Sequence, residues 1–277
     1  VRELSLKPIA ETLGQLLKHP IVFVDNFVKT YNNVKRSGTG LEPKLTVLEN
    51  LRFFPGEDKG LISFAKILAS THDYFINESF ATAHREASSV VALPSLLPSS
   101  IGFQFEKEIA SLDKVLGSKD QSVLLLGGAK PDKLEYIEKL KNRFGLVLLG
   151  GRLPLFYTRG SKKVIKATLK PHGFDITEGS AIHFAGLLKK AKLIVFNGPL
   201  GKSEDVKYRL STNLIISSLS KSRAFKIAGG GDTQNYLKTS RFERNFNFVS
   251  TGGGAMMYYL AYRKLPALVA IKKSPKA

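Results

Sequence analysis

Ile227–Thr233 reads I-A-G-G-G-D-T, and Val249–Ala255 repeats the pattern as V-S-T-G-G-G-A. Each is a short apolar run that breaks into three glycines and then into residues able to start a helix. A buried strand that turns through glycine into a helix is the repeating unit of parallel α/β folds. Turns without side chains let backbone N–H groups approach a ligand closely. A helix N-terminus adds partial positive charge aimed at the same point. The combination suits a phosphate. Gly229, Gly230 and Gly231 are the candidate ligands of the first turn, and Gly252, Gly253 and Gly254 those of the second. Asp232 offers a carboxylate for Mg²⁺, and Thr233 a hydroxyl for a phosphate oxygen. Two tight strand-to-helix turns with no ligand would carry the same letters.

Composition bounds the rest. The chain has 277 residues, of which 43% are hydrophobic. That suffices for two domains or one large one, with a sizeable core. No apolar run reaches 18 residues, so no membrane span is expected. There is no cysteine, which excludes disulfides and thiolate metal sites. No secretory signal is read at Val1, and the opening looks like a truncated or processed end. The net charge of +19 is uneven: residues 1–117 hold 13 Lys+Arg and 13 Asp+Glu, residues 118–277 hold 29 and 10. A polyanionic ligand such as a nucleotide, a nucleic acid, or lysine on solvated faces would each account for the excess. The lysines are scattered and no basic block is interleaved with aromatics, so nucleic acid is not favoured.

Along the chain, Pro8 opens a helical stretch over 9–17, and short strands are expected at 21–24 and 45–48. The polar stretch 32–40 reads as a loop. Helical spacing recurs at 63–70, 104–116 and 211–219. Strands are expected at 74–76, 122–126, 146–149, 193–196 and 225–228. Residues 161–170 read as basic and irregular. Arg52 follows a buried strand, where a guanidinium can fork onto a phosphate or carboxylate, or pair with Glu49 or Glu57. Lys130 follows the Gly127-Gly128 turn, and Gly150-Gly151 ends another strand. His172 and His183 lack partners at metal-ligand spacing and read as structural.

In order, these motifs resemble phosphoglycerate kinase from about Leu4 to Ala270. L-E-N-L-R-F-F-P-G-E at 48–57 matches a family motif whose Arg contacts the glycerate phosphate, here Arg52, with Phe54 where the family has His. N-E-S-F-A-T-A-H-R-E-A-S-S at 77–89 resembles N-D-A-F-G-T-A-H-R-A-H-A-S. It implies Arg85 as the second Arg of the substrate cradle, with His84 beside it; the residues alone also allow His84 as a helix-start histidine satisfied by backbone. G-G-A-K-P-D-K is one residue shorter than the family's G-G-A-K-V-x-D-K. Lys130 matches the lysine that stabilises the phosphoryl group in flight, and Lys133 the second lysine. N-G-P-L-G-K-S-E matches N-G-P-x-G-x-x-E, which implies Asn197 on a nucleotide phosphate and Glu204 on the ribose hydroxyls. Gly128, Gly150 and Gly151 would wall the nucleotide site. Arg152 replaces a third family Gly, where it can narrow the pocket or stack on a base.

The resemblance implies two Rossmann-like three-layer lobes with parallel sheets facing a cleft. Residues 1–103 would form a partial N-terminal lobe on the phosphoglycerate side and 104–117 an interdomain helix. A nucleotide-binding lobe at 118–265 and a tail at 266–277 would follow. The implied reaction moves a phosphoryl group between 1,3-bisphosphoglycerate and MgADP, giving 3-phosphoglycerate and MgATP in glycolysis. Lys130, Mg²⁺ at Asp232 and the N–H groups of Gly252–Gly254 would neutralise charge as the lobes close. A cytoplasmic monomer is expected. The family's R-V-D-F-N-V-P and S-H-L-G-R-P are absent and the stretch between Gly151 and Asn197 is short, so the N-lobe is expected to be incomplete and turnover of this chain low. The alternative is an impaired nucleotide-binding or basic nucleic-acid-binding relative.

Overall fold

The computed structural model describes residues 2–29, 45–117 and 120–276. The expected loop at 32–40 lies outside them. The chain divides into two compact units. One comprises Glu78–His84 and Gly102–Leu265; the other comprises Val1–Asn77, Arg85–Ile101 and Pro266–Ala277. The helix Phe103–Leu116 belongs to the first unit, and the C-terminal helix Pro266–Ile271 to the second.

Strands run in chain order as β1 (Val22–Val24), β2 (Thr46–Leu48), β3 (Phe75–Asn77), β4 (Ser99–Ile101), β5 (Ser122–Leu126), β6 (Leu146–Leu149), β7 (Val164–Lys166), β8 (Leu193–Asn197), β9 (Phe225–Gly229) and β10 (Phe248–Ser250). In the larger unit six of them form one parallel sheet, ordered β10-β9-β8-β5-β6-β7. The central strands β5 (S-V-L-L-L) and β8 (L-I-V-F-N) are buried at every position. Continuous apolar runs of this kind suit strands covered on both faces. Phe184, Leu188, Ile215, Ile216, Leu219 and Tyr236 join strand residues such as Leu125 and Ile194 in the core.

The chain builds outward from β5 to β6 and β7, then returns to β8 on the other side and continues to β9 and β10. The order therefore reverses between β5 and β8. In open α/β sheets, ligands bind beyond the carboxyl ends of the strands at such a switch.

Helix starts are set in two ways. The Thr177 side chain accepts from Ser180 N–H at the start of Glu178–Leu188. The helix Phe103–Leu116 has a cap from far along the chain: Glu78 accepts from the N–H groups of Gln104 (2.7 Å) and Phe105 (3.2 Å). The expectation of an irregular 161–170 is corrected. Val164–Lys166 forms β7, paired with β6 through Val147↔Val164 and Leu149↔Lys166. Two β-branched residues suffice for an edge strand whose flanking lysines stay solvated.

The smaller unit has two parallel pairs, β1-β2 and β3-β4. Its core gathers Phe27, Phe64, Ala65, Leu68, Leu93 and Leu97. Phe54 packs 4.8 Å from the Phe27 ring and 5.8 Å from that of Phe64. A core role thus explains an aromatic where the family carries His. No helix among the described residues is long and apolar enough to cross a membrane.

Candidate functional site

Three strand ends of the larger unit interlock at the switch point. Gly127 N–H donates to Asn197 O (3.0 Å) and Gly128 N–H to Pro199 O (2.8 Å). Gly151 N–H donates to Leu200 O (3.1 Å) and Arg152 N–H to Gly128 O (2.9 Å). Gly151 has φ +57°, and a Cβ there would lie 2.4 Å from Gly128 O. This glycine is required by backbone packing between turns, whether or not a ligand is bound.

The two triple-glycine turns also meet each other. A Cβ on Gly253 would lie 2.6 Å from Gly230 Cα. Asn197 is buried, and its Nδ2 donates to Gly253 O (3.2 Å). Thr233 is fully buried, and its Oγ1 accepts from Gly198 N–H (2.7 Å). Both side chains, expected on phosphates, hold the turns together. Gly231 differs: nothing lies within 4 Å of where its Cβ would stand. Its neighbour Asp232 is exposed in the first turn of the helix Gly231–Thr239 and has no ion pair among the described residues.

Lys133 reaches back under the same turns. Its Nζ donates to Gly127 O (3.0 Å) and Asn197 O (3.3 Å). Burial pushes its ammonium below the usual lysine range, opposed by the charges of Asp132 and Asp232.

A cleft of about 310 Å³ opens over these strand ends. Gly128, Gly151, Arg152, Glu204 and Asp232 line it. So do Phe174, Lys202 and Ser203, which sequence reasoning missed. The last two fall inside the quoted N-G-P-L-G-K-S-E, between the matched positions. Phe174 had a weaker signal, an aromatic directly after Gly173. Its ring stacks on His172 at 5.9 Å and lies 5.1 Å from Tyr208. His172 Nδ1 accepts from Phe174 N–H (3.0 Å), consistent with its structural reading.

The other expected residues are dispersed. Lys130 is exposed at the start of the 3₁₀ turn Pro131–Tyr136 and does not line the cleft. His84 belongs to the larger unit, with Nε2 3.3 Å from the position of a Cβ on Gly254. Arg52 and Arg85 are exposed in the smaller unit. The alternative for Arg52, a pairing with Glu49 or Glu57, is not what the structure shows: its Nε is 3.8 Å from Asp58. Glu49 instead accepts from Ser5 and the N–H groups of Leu6 and Asn50, and Glu57 accepts from Ser89. Among the described residues no group of three or more histidines and carboxylates could hold a metal by itself. A Mg²⁺ that arrives on phosphates needs only one or two protein carboxylates, and Asp232 at the cleft wall fits that role.

A doubly wound parallel sheet with a glycine-walled cleft at its switch point defines an α/β protein built to hold a ligand at its strand ends. A family profile described as Phosphoglycerate kinase matches residues 1–171 and 160–263. The phosphoglycerate kinase of Thermomicrobium roseum is 31% identical over 323 aligned positions, covering 97% of this chain and 82% of that one. That of Wigglesworthia glossinidia brevipalpis is 31% identical over 321 positions, covering 98% and 80%. Among solved structures, phosphoglycerate kinase from Pyrococcus horikoshii OT3 matches with a TM-score of 0.80 and 26% identity, covering 97% of this chain and 82% of that one. The Coxiella burnetii enzyme shares the fold, with a TM-score of 0.75, 24% identity and coverage of 99% and 82%. The chain belongs to the phosphoglycerate kinase family, a family of phosphotransferases. The 323 aligned positions exceed the chain's 277 residues, so the relatives carry internal segments that this chain lacks. The two profile matches overlap at 160–171, the stretch that contains β7.

Proposed function

We propose that this chain carries out the phosphoglycerate kinase reaction, with the nucleotide in the cleft of the larger unit. One observation carries the reading: Gly128, Gly151, Glu204 and Asp232, separated by more than a hundred residues of sequence, line a single cleft at the sheet's switch point. Glu204 has two acceptor oxygens, suited to a ribose diol. The N–H groups at the start of the helix Gly231–Thr239 face a phosphate with the helix's positive end. Asp232 would hold Mg²⁺, which supplies charge neutralisation on the phosphates when bound. Lys133 and Asn197 act one step back, by setting the turns that present those amides.

Lys130, exposed beside the cleft, is the side chain free to swing onto the moving phosphoryl group as a point charge. Gly252–Gly254 present further amides to it, with His84 next to Gly254. Arg52 and Arg85 in the smaller unit take the phosphate of 3-phosphoglycerate by bidentate hydrogen bonds. The reaction is a step of glycolysis, and on this reading the chain acts on small molecules as a cytoplasmic monomer.

Isothermal titration with MgADP tests the reading. Asp232→Ala should abolish binding and Glu204→Ala should weaken it by about tenfold, the scale of one lost charged hydrogen bond. Unchanged affinity in both variants contradicts the assignment. A second arm follows ATP formation from 1,3-bisphosphoglycerate, where turnover lost in Lys130→Ala supports the catalytic role. MgADP binding with no Lys130-dependent turnover would support the impaired-kinase alternative.

A further inference from the structure

The far end of the same sheet carries a second concave site, lined by basic side chains. The segment 189–192 leads into β8, and 221–224 leads into β9. The two strands are parallel neighbours, registered Leu193↔Phe225, and Phe225 N–H donates to Lys192 O (2.8 Å). Both segments therefore enter the sheet side by side from its amino end. Five residues of strand, about 16 Å, separate them from the glycine turns.

Here a cavity of about 1140 Å³ is lined by Lys189, Lys192, Lys221 and Arg223, with serines between them and Phe225 at its wall. All four cations are exposed, and none forms an ion pair among the described residues. Neither 179–203 nor 206–231 contains an acidic residue. The nearest carboxylate in the neighbouring strand's lead-in, Asp120, precedes Gln121, whose carbonyl accepts from Lys192 N–H (2.9 Å), and it forms no ion pair among the described residues. Lys114 adds a further cation, 5.3 Å from the centre of the Phe225 ring.

Two helices, Glu178–Leu188 and Leu210–Ser220, end at this pole. Cations near helix C-termini are favourable in their own right. The magnitudes do not match: two helix ends carry about one negative charge together, against four full positive charges. Roughly three charges are left over by that comparison, facing one concavity, and no carboxylate among the described residues is ion-paired with them. A concave basic wall suits a flexible strand of phosphates that can enter it better than a flat anionic surface.

We propose that this pole is a second binding site, distinct from the nucleotide cleft, for a linear phosphate polyanion: the backbone of a single-stranded nucleic acid or an inorganic polyphosphate. Lys189, Lys192, Lys221 and Arg223 would neutralise successive phosphates, and Phe225 offers a partly exposed ring at the wall.

The experiment uses the whole chain and a fluorescently labelled 12-nucleotide oligo-U RNA, followed by anisotropy at 50–200 mM salt. The variant Lys189→Glu/Lys192→Glu/Lys221→Glu/Arg223→Glu should lose affinity by about tenfold or more, with a salt slope shallower by about 3. A control with the same charge change elsewhere, Lys162→Glu/Lys163→Glu/Lys272→Glu/Lys273→Glu, should lose less than about threefold by the loss of general attraction alone. MgADP binding should be unchanged in both, which also reports that both fold. Competition by inorganic polyphosphate assigns the site to bare phosphate chains; RNA binding that resists it assigns the site to nucleic acid. The proposal is overturned if wild type binds neither RNA nor polyphosphate at 50 mM salt, or if the control loses as much as the quadruple variant.

Discussion

Glycines that look alike in sequence do different work in this molecule. Gly151 sits at φ +57° with another turn's carbonyl against it, so Gly151→Ala should destabilise the chain by at least about 1–2 kcal/mol from the left-handed backbone alone. Gly231 has open space, so Gly231→Ala should leave the melting temperature within about a degree or two, yet reduce MgADP affinity by obstructing the amides. Thermal melts beside titrations separate the two, and a large loss of stability in Gly231→Ala would sink the distinction. Lys133 makes a pH-dependent case. Its folded-state pKa lies below its unfolded value because of burial, so the unfolded chain binds more protons between those two values. Stability should therefore rise with pH across that alkaline window. Urea midpoints measured against pH should show this rise in wild type and a flatter line in Lys133→Met.

At the scale of elements, helix caps and strand pairing decide where motifs end up. Glu78 departs from the family's Asp, and its longer side chain caps the helix Phe103–Leu116 at both Gln104 and Phe105. Glu78→Ala should cost about 1 kcal/mol, and Glu78→Gln less, since its amide oxygen still accepts. Equal losses in both, read from denaturant curves, would mean that the charge and not the cap carries the effect. The strands β5 and β8 were legible as unbroken apolar runs ending in glycine or asparagine. The edge strand β7 was not, because three residues beside a row of lysines carry too little apolar periodicity to stand out. Its pairing with β6 exists only once β6 is already in the sheet.

For the molecule as a whole, the two substrates proposed for the kinase reaction are assigned to different compact units, and they should be distinguishable there. MgADP at about a hundred times its Kd should stabilise the larger unit by about 2.7 kcal/mol. Hydrogen exchange should then slow around 127–128, 150–152 and 230–232. 3-Phosphoglycerate should instead slow exchange around 51–53 and 85–88. Protection by 3-phosphoglycerate confined to the strand ends of the larger unit would overturn the assignment of Arg52 and Arg85.

The letters alone determined the parallel α/β class, the family, and the identity of the cleft's central residues, because strand-glycine-helix units and the N-G-P motif are local patterns with local causes. They could not separate Asn197 and Thr233, which face inward to tie turns together, from Asp232 and Glu204, which line the cleft. That division depends on which carbonyl or amide of a distant turn arrives beside each side chain. Nor could they show that scattered lysines converge at one pole of the sheet. Convergence of residues far apart in the chain is a property of strand order, and strand order is set by the burial of the whole sheet.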